Sequence, residues 1–325
     1  MSSQNLRHIQ QKLSGYRLTV GANDMKRTAL PSGRVFVALP AALLVAALGV
    51  AAAQTLSPVD LVRKAVQNEI NSSSHGPNFM FREVSQGTDG SRTKLLVETD
   101  DAMAGMLIAN NGHPLTPEER QAEEKRLKHL VKDPDDLQRK RKHEKEDADR
   151  MTEILNAFPE AFLYDEEGTT PGEEGVGAPG DTLVRLKFRP NPKYSPPSHI
   201  EQILTGLQGE MLIDRKQRRI AKIDGSLIKQ VEFGWGILGH LDRGGHFIVR
   251  QADIGRGHWE MTAMDLSFTG KALFFKTLNI KSKEIFSDFQ PAPRGLTFAQ
   301  GVELLKKQEA LIAQNEPAGN ENRKQ

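Results

Sequence analysis

The chain has 325 residues, long enough to bury a substantial core, and its 44 Lys+Arg nearly cancel its 42 Asp+Glu. A formal charge of +2 leaves no overall field to draw the chain onto nucleic acid. With no cysteine, disulfides, thiolate metal sites, a cysteine nucleophile and a lipid anchored on an N-terminal cysteine are all excluded.

The longest apolar run, Val35 to Ala53, follows Lys26, Arg27 and Arg34 and closes on Ala51 and Ala53. A positive start, an apolar middle and an A-x-A end are the layout of a signal peptide cleaved near Ala53 or Gln54, which implies a periplasmic or secreted protein. A retained anchor is the alternative, against which stand Pro40 and the dominance of Ala. Counting from Met25 gives a signal of ordinary proportions, so translation is expected to start there and not at Met1. Residues 1–54 are therefore read as an N-terminal extension plus signal.

From Ser57 the sequence predicts a helix capped by Ser57, opened by Pro58, with Val59, Val62, Ala65, Val66 and Ile70 on one face. A β-hairpin follows over Phe79 to Thr99 with its tip at Gly87 to Gly90, then a strand from Ala104 to Ala109 and a turn at residues 110–112. Thr116-Pro117-Glu118-Glu119 opens a charged helical insertion over 116–150, broken near Asp133-Pro134. Its alternating signs describe a solvated face and not a nucleic-acid footprint. Residues 151–164 are apolar enough to pack on a sheet.

Residues 165–181, rich in Gly, Pro and acids, read as a mobile loop. Seven strand candidates follow, beginning with 182–188 and 209–214, continuing through 219–225, 227–234, 246–254 and 258–266, and ending with 274–286. A short helix is expected near 199–208, and residues 296–325 form a C-terminal helix and a frayed tail. The fold class is α+β, a curved, mostly antiparallel half-barrel sheet with covering helices, forming one domain over 55–295.

Motif by motif, the chemistry is sparse. Gly234-x-Gly236-x-x-Gly239 matches a dinucleotide fingerprint, but a turn and a strand follow it where a helix is needed, so these glycines are read as allowing a bend or close approach. His240, Asp242, His246 and His258 lie close in sequence without zincin spacing. G-x-S-x-G is absent. The expectation is a protein that is not an enzyme, with no cofactor and no metal; a hydrolase built on His240, Asp242 and His246 is the least favoured reading.

Apolar side chains concentrate in the later strands. Phe233, Trp235, Ile237, Leu238, Phe247, Trp259, Met261 and Phe274 are the candidate lining of a concave apolar face that could hold an acyl chain. Most such residues must also build the core.

With these pieces and the stretch GEMLIDRKQRRIAKIDGSLIKQVEFG at 209–234, the chain resembles the periplasmic lipoprotein-carrier (LolA/LolB-like) superfamily. It also looks like exported soil-bacterial proteins that carry NG-x-PLT-x-EER, here at Asn111 to Arg120. The resemblance implies a curved sheet around an apolar cavity, and binding of a lipid or a lipidated protein without a cofactor. The charged segment and the acidic loop depart from the carriers. The alternative reading is an envelope interaction or structural protein that docks a partner through its charged helix.

Overall fold

The computed structural model describes residues 56–233, 238–272 and 276–315. The expected signal at 35–53 and the candidate residues Trp235, Ile237 and Phe274 lie outside them.

Helix α1 (Pro58–His75) starts as its sequence dictates: the Ser57 hydroxyl accepts from the Asp60 amide and Pro58 occupies the first turn. Three antiparallel strands follow, β1 (Asn78–Gly87), β2 (Gly90–Val97) and β3 (Ala104–Asn110), with a two-residue β4 (His113–Pro114). Helix α2 (Pro117–Lys132) carries a full capping box between Thr116 and Glu119. Asp133 then ends α2 and caps α3 (Pro134–Ala161), its carboxylate accepting from the amides of Asp135 and Asp136.

The second half is β-rich. Strands β5 (Phe162–Pro171) and β6 (Thr182–Pro190) lead through a 3-10 turn (Glu201–Gly206) to β7 (Leu207–Asp214) and β8 (Ile220–Leu227). A small hairpin, β9 (Val231–Phe233) and β10 (Gly239–Leu241), precedes β11 (His246–Asp253) and the long β12 (Trp259–Ala272) and β13 (Lys276–Ala292). Helix α4 (Phe298–Asn315) follows.

All the paired strands are antiparallel, in the order β4-β3-β2-β1-β13-β12-β11-β8-β7-β6-β5, with β10 attached to β12. The fold class is as expected, an α+β protein on one large antiparallel sheet that does not close into a barrel.

Helix α3 shows how strongly this sheet bends. Near its middle Glu144 accepts the Met103 amide, just before β3, and its C-terminus runs directly into β5 at the opposite edge. Seventeen residues of α-helix span only ~26 Å. Nine strand spacings separate β3 from β5, or ~43 Å along the sheet. A chord of roughly six-tenths of the arc describes about half a circle, so the sheet wraps around α3. The charged segment is thus no appendage: it is the strap that joins the two edges.

One face of the sheet meets α1, α3 and the 3-10 turn in a continuous core containing Val62, Phe81, Leu155, Phe162, Leu186, Leu204, Met211 and Met264. The other face is covered at two places. Helix α4 packs Phe298, Val302 and Leu305 on Met80, Leu95 and Val97. Residues 172–181 lay Val176 on Leu183, Leu212, Ala221 and Trp259.

The segment expected to be a mobile loop is built differently. Residues 162–171 form edge strand β5, and 172–181 are tied back by Gly172 to Asp181 and by Gly177 to Gln251. Their polar composition suits an edge strand, which needs only one paired side and little burial.

Candidate functional site

Helices roof this face over β5, β7 and β8, and the apolar surface they leave uncovered lies where that roof stops. Helix α1 packs on β5, β7 and β8, and α3 on α1, β5 and the 3-10 turn. Beyond them the same face continues onto β9, β11 and the extended β12–β13 hairpin. There Phe233, Phe247, Leu278 and Ile280 are only partly buried and pack against the margin of the core. Two glycines shape this end: a Cβ on Gly225 would strike the Phe247 ring at 2.6 Å, and one on Gly245 would strike Phe268 at 2.4 Å. The rings sit against bare backbone because nothing larger than hydrogen stands at these glycines.

The sequence-predicted lining residues divide. Phe233 and Phe247 each lie at the margin of the core on this face, and Leu238, whose amide donates to the Phe233 carbonyl at 3.2 Å, is partly buried. Met261 is 1% exposed within the main core, closed off by the protein's own side chains. Trp259 joins the cluster under residues 172–181. Its ring donates to Gln217 Oε1 at 2.9 Å and carries the Arg219 guanidinium 5.7 Å from its centre. Leu278 and Ile280 also belong to this face; they fall within the strand expected at 274–286, where polar neighbours set them apart from the apolar clusters that mark the candidate lining.

Arg219 belongs to a buried network that fixes α1. It donates twice to Glu69, at 3.0 and 2.9 Å, and Glu69 also accepts the Ile220 amide at 2.8 Å. Burial pushes the guanidinium down to about 10, partly offset by Glu260 and Asp253. It stays charged at neutral pH.

A second space, about 530 Å³, lies between the α2–α3 strap and the β1–β3 end of the sheet. Its walls are charged, and three pairs form among them: Lys94 with Glu83 at 3.5 Å, Lys140 with Glu144 at 2.7 Å and Arg126 with Glu123 at 2.6 Å. Much of this wiring is structural. Glu123 accepts the Leu107 amide and Arg126 donates to the Gly105 carbonyl, so side chains of α2 finish hydrogen bonds that β3 lacks a strand to make.

The histidine group weighed above does not assemble as a set. His240 Nε2 stands 3.3 Å from Asp242, whose other oxygen accepts from Thr269 at 2.8 Å. Among the described residues the ligand atoms that cluster are those of His129, Asp133 and Asp136, where Asp133 is already a helix cap. Arg139 also pairs with Asp136.

Asp214 is fully buried at the β7–β8 turn. One oxygen accepts the amides of Lys216 and Gln217 at 2.9 and 2.6 Å, while the other has no hydrogen-bond partner among the described residues. Burial first, then the charge of Asp181, raises its carboxyl above the usual range, against the pull of the two amides. A folded-state value above the unfolded one means that stability is lost as pH rises from the unfolded value through the folded one. Denaturant midpoints should therefore show Asp214→Asn at least as stable as the parent at pH 7, with its advantage gone at pH 3. A large loss at pH 7 would show that the carboxylate is needed.

No family model and no curated protein matches the chain. Among solved structures it is similar to a DUF1329 family protein from Desulfovibrio piger, at 12% identity over 77% of this chain and 100% of that one, with a TM-score of 0.26. It is also similar to MucB in complex with MucA(peri), at 9% identity over 72% and 98%, TM-score 0.20. The MucA/MucB complex of Pseudomonas aeruginosa gives 9% over 76% and 96%, TM-score 0.20. At these identities and TM-scores they assign neither a family nor an activity to this chain.

Proposed function

We propose that the chain is an exported, non-catalytic binding protein that takes the apolar part of a lipid-like ligand at the open end of its concave face. The observation that carries this reading is the run of partly buried Phe233, Phe247, Leu278 and Ile280, which continues the core past the helices that roof it. An acyl chain laid there extends the core's own packing, and each side chain it covers contributes about 25 cal/mol per Å² of the apolar surface still exposed, less than burying the whole side chain would give. The positive and apolar N-terminal pattern supports export, and no helix among the described residues is long and apolar enough to cross a membrane.

The test is titration with a fluorescent fatty acid, read by emission and by displacement with unlabelled oleate. The parent should bind saturably. Phe233→Asp and Leu278→Asp, at the margin of the core, should each weaken binding by roughly tenfold or more while circular dichroism stays unchanged. Absence of saturable binding, or equal binding by both folded variants, would overturn the reading.

A further inference from the structure

The sheet finishes its two ends differently. At the β3 end, Glu123 and Arg126 of α2 satisfy backbone groups, and Asn110 donates to Glu119 at 2.7 Å. At the β5 end nothing comparable is present among the described residues. Among the described residues strand β5 pairs only with β6, and residues 165–169 are all exposed. An extended strand with one bare side offers backbone donors and acceptors to another chain.

Charge narrows what can pair there. Residues 165–181 contain six acids and no base. On the inner side, β5 already lies against a basic strand: Lys187 pairs with Glu167 at 2.5 Å, and Arg189 reaches Asp165 at 3.6 Å. Arg215, in the β7–β8 turn, lies 3.5 Å from Glu166. The three acids are answered from one side only. Glu173 and Glu174, exposed just past the strand, make no ion pair among the described residues. Two copies joined edge to edge through β5 would set acids directly opposite acids, which destabilises a strand pair. A basic strand would instead repeat the arrangement that β6 provides.

We infer that the outer edge of β5, at residues 165–170, accepts an extended Lys/Arg-bearing segment of a partner protein as an added strand. This surface is separate from the apolar end, and either can fail alone. The bulge between Glu166 and Thr169, where Gly168 takes φ +102°, limits the added strand to a short stretch.

The test is hydrogen exchange on the intact protein with an eight-residue peptide alternating Lys and Val, and with its Glu-Val counterpart. The Lys peptide should slow exchange of the 165–170 amides by roughly tenfold at saturation, weaken as salt rises, and lose affinity for the Asp165→Asn/Glu166→Gln/Glu167→Gln variant. Three results would each overturn the proposal: no protection of these amides, equal protection by the Glu peptide, or an unchanged response in the variant. If the amides are protected without peptide and become exposed when residues 1–55 are removed, the chain's own segment is the occupant and a partner is not.

Discussion

Glu69→Ala is expected to lower stability by about 3–5 kcal/mol, the usual result of removing one member of a buried ion pair. Glu69 is fully buried on α1 and accepts three hydrogen bonds, two from Arg219 and one from the Ile220 amide. Its loss leaves a guanidinium whose side chain is 9% exposed facing a cavity, and orphans a strand amide. At 2–4 °C per kcal/mol for a domain of this size, thermal unfolding by circular dichroism should fall by roughly 10 °C. Arg63→Ala is the contrast. Arg63 pairs with Asp60 and Glu160 at 2.6 and 3.0 Å, yet it is half exposed, so the change should stay within about 1 kcal/mol. Similar losses for the two variants would mean that α1 is held by its apolar face alone.

Local signals in the sequence located most of the elements. Ser57-Pro58, Thr116-Pro117 and Asp133-Pro134 each mark a helix start because a short polar cap and an N1 proline do their work within one turn. The β1–β2 tip and the later hairpins were legible for the same reason. What failed was long-range. The polar strand β5 hides its pairing because an edge strand with acids on it shows no apolar alternation. Strap α3 reads as solvated because two buried positions of its inward stripe, Glu144 and Asp147, are acids, which accept from the Met103 amide and from Arg150, and only Met151, Leu155 and Phe158 look like core. The candidate site was legible as a list of apolar residues but not as a place. Trp259 and Met261 stand two residues apart, yet one joins the cluster under residues 172–181 and the other the main core, so two-residue alternation does not sort them by face. Nor can spacing tell a roofed residue such as Met261 from a marginal one such as Phe247, since the roof comes from helices distant in sequence.

Gly270→Ala is expected to detach the β9–β10 hairpin while leaving the main core folded. A Cβ at Gly270 would lie 2.1 Å from the His240 carbonyl oxygen and 3.1 Å from Leu241 Cα, and both neighbours are backbone that cannot rotate aside. Gly239 meets the same strand from the other side: it holds φ +131°, and a Cβ there would fall 2.1 Å from the Lys271 carbonyl. This is the close approach that the glycines of GWGILG suggested, realised at Gly239. Hydrogen exchange at residues 231–233 and 239–241 should quicken at least tenfold, or about 1.4 kcal/mol of local stability, because among the described residues β9 reaches the sheet's strand pairing through β10 alone, even though Val231 also packs in the core. Gly87→Ala provides the comparison, since its nearest contact would be an ordinary 3.8 Å from the Lys281 carbonyl. Because Phe233 rides on β9, Gly270→Ala should also weaken fatty-acid binding while the amides of β6 and β7 keep their protection. Loss of binding with an undisturbed hairpin would instead place the ligand on β12 and β13 alone, whereas intact binding with a detached hairpin would remove Phe233 from the site.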